Sequence, residues 1–148
     1  MLKFLIPISL IVLDLITKII VSNTLELNQF IQVNSFFSIV YVKNFGVSFG
    51  ILSGILPFWF FVLIGLLVVA LIAYLSSISQ KLLEKKAYFI IIIGALANII
   101  DRSVNGFVTD FISFNYKNLF WPAFNFADIY ITVGIIMLIL SFFSKTKV

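Results

Sequence analysis

The sequence predicts a mainly α membrane protein: a four-transmembrane-helix bundle with a small extracytoplasmic β-sheet and an extracytoplasmic loop. Three observations predict it. The 148 residues are 62% hydrophobic and 11% charged with a mean hydropathy of +1.20, too few charges to clothe the core of a soluble domain. Four apolar runs are long enough to cross hydrocarbon at about 1.5 Å of helix per residue. Between the first two lies a β-branched and aromatic stretch that alternates in places with polar residues.

The first span is expected over 4–21. A cleaved signal peptide is the other reading, but no alanine precedes Ala70 to supply a small-residue cleavage site. Asp14, Thr17 and Lys18 interrupt the run at i, i+3 and i+4, so they share one helix face. The simplest reading is an internal Asp14–Lys18 ion pair on a stripe facing other helices, since buried charges are paired. Direct contact with substrate or catalytic groups is the alternative.

Residues 22–57 change pattern. Gln29 to Val42 sets Ile31 and Val33 against Gln32 and Asn34, which predicts two short strands. Asn44-Phe45-Gly46-Val47-Ser48-Phe49-Gly50 follows, its glycines suiting either a turn or a close approach to a ligand. The second span is expected over 58–75, with Pro57 at its start, where a missing N–H does little harm. The third is expected over 83–100. Its apolar part from Ala87 to Ile100 is short, so either Leu82 and Leu83 extend it or Asn98 and Asp101 are drawn to membrane depth. The fourth is expected over 126–143, leaving 101–125 as an outer loop.

With four spans, Lys3, the Lys81/Lys85/Lys86 group and Lys145/Lys147 fall on one side, the cytoplasm by the positive-inside rule. Both termini are then cytoplasmic, and 22–57 and 101–125 face outward. This topology explains the +4 net charge better than nucleic-acid binding does. No internal repeat or second domain is visible, so 1–148 reads as a single integral membrane domain.

The chain has no Cys and no His, which excludes disulfides, a thiolate nucleophile and a Ser-His system. Chemistry must come from carboxylates, Lys, Arg, hydroxyls or amides. Three of the four aspartates lie between Gly94 and Asp128. Carboxylates beside hydrocarbon are costly and suggest a site. Asn98, Asp101 and Arg102 stand at i, i+3 and i+4 at the end of the third helix, and Asn125 and Asp128 at i, i+3 where the fourth begins. Arg102 has a ready partner in Asp101, leaving Asp110 and Asp128 without an evident counter-ion. Two juxtaposed carboxylates share a proton and can activate a water near neutral pH. Spacing alone equally allows helix-capping aspartates that merely meet water.

Four motifs in order then carry a resemblance. Asp14-Leu-Ile-Thr17-Lys18, the Asn44-to-Gly50 segment, Gly94-Ala-Leu-Ala-Asn98-Ile-Ile-Asp101-Arg102 with Gly106-Phe-Val108-Thr-Asp110-Phe111, and Pro122-Ala-Phe124-Asn125-Phe-Ala127-Asp128 resemble the blocks of the lipoprotein signal peptidases (signal peptidase II). The similarity covers nearly the whole chain. Ala97 stands where many members carry Gly and Ile129 where a hydroxyl residue is common; neither change removes a group the mechanism needs. The resemblance implies a bacterial inner-membrane aspartic endopeptidase that removes signal peptides from diacylglyceryl-modified prolipoproteins, cutting on the N-terminal side of the lipidated Cys. It implies Asp110 and Asp128 as catalytic groups, with Asn44, Gly46, Asn98, Arg102 and Asn125 binding substrate or supporting the pair. Asp14, Lys18 and Asp101 match positions of mainly structural character. No metal or organic cofactor is implied; the expected partners are prolipoprotein substrates and membrane lipids, for a monomeric enzyme.

Rival classes carry less of the pattern. A proton or ion pathway would string its acids across the bilayer and commonly shows inverted repeats. A metal-dependent phosphotransferase could use several aspartates as ligands, a reading that chelation separates from the peptidase. A purely structural subunit explains the spans but not the clustered Asp, Asn and Arg residues.

Overall fold

The computed structural model describes residues 2–46, 56–116 and 119–143. Val47 to Gly50, Lys117, Lys145 and Lys147 lie outside them. Among the described residues, four helices are long and apolar enough to cross a membrane: α1 (Leu2–Thr24), α2 (Phe58–Ile78), α3 (Leu82–Asn105) and α4 (Phe126–Phe143). Between and after them run β1 (Phe30–Gln32), β2 (Phe37–Asn44), β3 (Val108–Tyr116) and the two-residue β4 (Leu119–Phe120).

The bundle is inverted relative to a soluble protein. Leu67, Leu71, Phe142 and many other large apolar side chains are exposed, while Asp14, Lys18, Asp101, Asp110 and Asn125 are buried. Lipid covers the former; the latter must find partners inside, because hydrocarbon offers none. α3 is central and packs against α4, α2 and α1. Small residues set its distance from α4. A Cβ on Gly94 would collide with the Ala127 carbonyl, and one on Gly134 with Ile91 and the Ala87 carbonyl. At the far end of the bundle Glu84 accepts hydrogen bonds from Ser79 Oγ (2.7 Å) and Ser141 Oγ (3.1 Å), tying the α2–α3 connector to the end of α4.

Leu82 and Leu83 belong to α3, which continues at its other end past Asp101 to Asn105, 24 residues in all. Gly106 then ends it at φ 79°, the left-handed region that suits glycine, with its N–H on the Arg102 carbonyl.

The two strands expected between the first spans form a hairpin, in which Asn34 Oδ1 accepts the N–H groups of Phe36 and Phe37 at the turn. The segment expected as an outer loop contributes the longest strand. β3 pairs antiparallel with β2 and completes a sheet of order β1-β2-β3-β4. Its buried first half, Val108 to Ile112, lacks the alternation that marks a half-exposed strand, and the sequence signal is correspondingly weak. Val21 of α1 and Leu25, just past its end, pack with Tyr41, Phe111 and Ile112, seating the sheet on one end of the bundle.

Candidate active site

Asp110 reaches the bundle through strand register. The β2–β3 register shifts between Ile39/Ile112 and Val42/Asp110, leaving an extra residue on β2. Such a bulge re-aims neighbouring side chains. Asn44 pairs with Val108, one diagonal step from Asp110, and its Nδ2 donates to Asp110 Oδ2 at 3.1 Å. The other oxygen, Oδ1, accepts Asn125 Nδ2 at 2.7 Å.

Asp128 is placed by the first turn of α4. Asn125 Oδ1 accepts the Asp128 N–H at 3.0 Å while Asp128 Oδ2 accepts the Asn125 N–H at 3.2 Å, a reciprocal capping box. The capping reading of Asp128 therefore holds alongside its place in the site. Hydrogen bonds between Phe124 and Phe111/Ile112 fix this turn against β3, so Asn125 touches both carboxylates. Asp128 Oδ1 accepts Asn98 Nδ2 of α3 at 2.9 Å.

Behind these contacts sits Lys18, 2% exposed. Its ammonium donates to Asn98 Oδ1 at 2.7 Å and lies 2.7 Å from Asp14 Oδ2 and 3.5 Å from Asp101 Oδ2. The Asp14 contact lacks hydrogen-bond alignment, so Asp14 Oδ2 has an ion pair without a directed bond. Asp14 Oδ1 accepts the Ala127 N–H at 2.9 Å. Asp101 accepts Asn105 Nδ2 (2.7 Å) and the Thr109 N–H (2.8 Å), steering the chain from α3 into β3. Thr17 stands apart, its hydroxyl donating back to the Leu13 carbonyl.

The expected Arg102–Asp101 pair is not formed. Adjacent helix residues point in different directions, and the Asp101 oxygens are engaged elsewhere. Arg102 instead reaches the end of β2, donating to the carbonyls of Gly46 and, at 3.5 Å, Asn44, with its guanidinium over Phe61 of α2 (5.5 Å). Gly46 also donates its N–H to Asn44 Oδ1 at 3.0 Å. Two participants carried no sequence signal. Thr109 looks like an ordinary strand residue, and Phe61 is one phenylalanine in an apolar run.

Asn44, Asn98, Arg102, Asp110 and Asp128 line one groove of about 1130 Å³, which continues past Phe114 and down α4 along Ile129 and Thr132. It is polar at the carboxylates and apolar toward the membrane-spanning part. The Asp110 carboxyl is pushed up to about 7, first by burial and then by the neighbouring charge of Asp128; hydrogen bonds from Asn44 and Asn125 and the positive charge of Lys18 oppose the shift only partly. One proton can therefore stay at the pair near neutral pH. Among the described residues no three acidic side chains converge in a metal-ligand arrangement, and both oxygens of each carboxylate already accept N–H groups.

These features define a multi-pass membrane protein with a pair of buried carboxylates at one end of its bundle. A profile of the Signal peptidase (SPase) II family matches residues 6–144. The lipoprotein signal peptidase of Actinobacillus succinogenes is 40% identical over 139 residues, spanning 90% of this chain and 85% of its own. That of Francisella tularensis subsp. novicida is 38% identical over 150 residues, 97% and 93% of the two chains. A bacterial membrane enzyme solved in meso at 2.3 Å superposes with a TM-score of 0.83 at 30% identity, covering 98% of this chain and 93% of its own. The chain belongs to the signal peptidase II family, and it is a peptidase.

Proposed function

We propose that this chain is an aspartic endopeptidase that removes signal peptides from diacylglyceryl-modified prolipoproteins, cutting before the lipidated Cys. The observation that carries this reading is the pair of buried carboxylates, from β3 and α4, bridged by Asn125 and opening on one groove. The relatives' names supply the substrate class.

Asp110 holds the resting proton and Asp128 is ionised. A water between them attacks the scissile carbonyl carbon, giving its proton to Asp128, while the Asp110 proton passes to the carbonyl oxygen as charge develops there. On collapse Asp128 returns a proton to the leaving nitrogen of the lipidated Cys, and the proton on the tetrahedral oxygen goes back to Asp110. The products are the carboxyl end of the signal peptide and a free amine on the Cys. Asn44, Asn98, Arg102, Asn125 and Gly46 hold the two carboxylates and the peptide.

The enzyme is a multi-pass protein of the bacterial inner membrane. Lys81, Lys85 and Lys86 and both termini lie in the cytoplasm, and the sheet and the acidic pair at the outer face. The acids around Lys18 gather with the pair at one end of the bundle, which disfavours a proton relay across the membrane.

Each buried CH₂ is worth about 0.8 kcal/mol, so a diacyl group stays in the bilayer and fixes the depth of its Cys against the pair. Purified protein incubated with lipid-modified and unmodified preprolipoprotein, read by mass, tests this. The lipid-modified substrate should be cut at least roughly 100-fold faster, since small misplacement costs that much. Equal cleavage of both would overturn the lipid requirement, and cleavage of neither the whole reading.

A further inference from the structure

Lys18 is the most deeply placed cation in the site, yet it touches neither of the paired carboxylates. Its three neighbours lead to them: Asn98 donates to Asp128 directly, Asp14 holds the N–H of Ala127 next to Asp128, and Asp101 holds the N–H of Thr109 next to Asp110. Asn98 differs from the two acids, because an amide can present either its oxygen or its nitrogen. An ammonium only donates, so the Asn98 oxygen must face Lys18, and its NH₂ must then face Asp128. Asn44 and Asn125 are pinned the same way by backbone N–H groups, from Gly46 and Asp128. Only for Asn98 is the pin a side chain, and so removable.

Resting on the reading above, we propose that Lys18 is a positioning residue for the peptidase reaction: it locks the Asn98 amide with its N–H groups toward Asp128, keeping that carboxylate in its proton-accepting form. Without the ammonium the amide is free to turn, and an oxygen facing Asp128 favours a proton there. Among the described residues, the charged groups facing Asp128 are Asp14 and Lys18 from α1, Arg102 from α3 and Asp110 from β3, with Asp101 of α3 behind Lys18. Of these, Lys18 alone is a cation bonded to a partner of Asp128. A lysine acting only through its charge would shift the pair whether or not Asn98 is present, so its loss and that of Asn98 would then multiply.

The test is the double variant Asp14→Asn/Lys18→Met, which retains an oxygen for the Ala127 N–H and leaves no unpaired Asp14, while Asp101 loses its ammonium but keeps its bonds from Asn105 and Thr109. We expect kcat to fall roughly 10- to 100-fold with KM little changed, the scale of a small misplacement. The ascending limb of the pH profile should move to higher pH, because ionising the pair has become harder. Adding Asn98→Ala should cost nothing further, since residues acting as a unit are non-additive. Asn98→Asp supplies a second probe in a protein that keeps Lys18: it too removes the N–H groups and should move the limb the same way. A readout independent of substrate is the ¹³C carboxyl titration of labelled aspartates, with Asp128→Asn giving the assignment; the pair's midpoint should rise in both variants. An unmoved limb and midpoint, or losses that multiply with Asn98→Ala, would overturn the proposal. Failure of the functional reading looks different, because wild type would then not cleave lipid-modified substrate while the titration still reports on the lock.

Discussion

Asp110→Asn should abolish cleavage and, above neutral pH, stabilise the protein. In the fold the Asp110 carboxyl sits at about 7 instead of 3.8, because burial and then the charge of Asp128 disfavour its ionised form. At about 1.4 kcal/mol for each tenfold change, holding that carboxylate charged costs on the order of 4 kcal/mol. The unfolded carboxyl ionises near its ordinary value, so wild type loses stability as pH rises from about 4 to about 7 and is level above that. Asparagine carries no such penalty, but it offers one oxygen where the carboxylate gives two to Asn44 and Asn125, a loss of about 1–2 kcal/mol. The balance favours the variant by about 2 kcal/mol at pH 8 and reverses at pH 4, where wild-type Asp110 is protonated. For a chain of this length 1 kcal/mol moves Tm by roughly 2–4 °C. Thermal unfolding in one detergent at both pH values measures it. A variant less stable than wild type by the same margin at pH 4 and pH 8 would refute the claim that Asp110 is held near neutrality by its surroundings.

The rate of wild-type cleavage should fall as pH rises beyond about 7, as Asp110 loses its proton, and a rate that climbs steadily to pH 9 would remove Asp110 as the acid. Gly94→Ala should lower stability by about 1–3 kcal/mol, and activity with it, because its Cβ meets the Ala127 carbonyl one residue from Asp128; a variant with unchanged Tm and turnover would show that α3 and α4 do not need this approach. In a chain without cysteine, Ser35→Cys at the hairpin turn should react with an impermeant thiol reagent on intact cells, and Lys85→Cys only after lysis. The reverse pattern would put the site on the cytoplasmic face.

The helices were legible because length and hydropathy decide them, and their buried polar residues because charge is rare in such a chain. Asp14 and Lys18 could be paired from their i, i+4 spacing alone. The Arg102 partner could not. Adjacency suggested Asp101, but the choice depends on β2 returning its Asn44 and Gly46 carbonyls to α3, a contact 56–58 residues away in the chain. β3 stayed hidden for a related reason. A strand buried on both faces over Val108 to Ile112 shows no period of two, and its Thr and Asp look like loop residues until pairing with β2 buries them.

The same hydrogen bonds that build the fold also set the protonation of the pair, and this follows from the solvent. Hydrocarbon cannot satisfy a carboxylate, so each acid near the bundle end must take its donors from protein. The donors nearest to hand are those that join elements: Asn44 at the end of β2, Asn98 on α3, Asn125 at the start of α4. Each amide is turned by a group that can only donate, which leaves its own N–H groups for a carboxylate. Donors favour the ionised form while burial and mutual charge oppose it, so the balance at Asp110 comes to rest near neutral pH. A soluble protein could let water supply these bonds. Here the Asn44, Asn98 and Asn125 amides each also tie two elements together, so a change to one alters the carboxylate pair and the packing of its elements together.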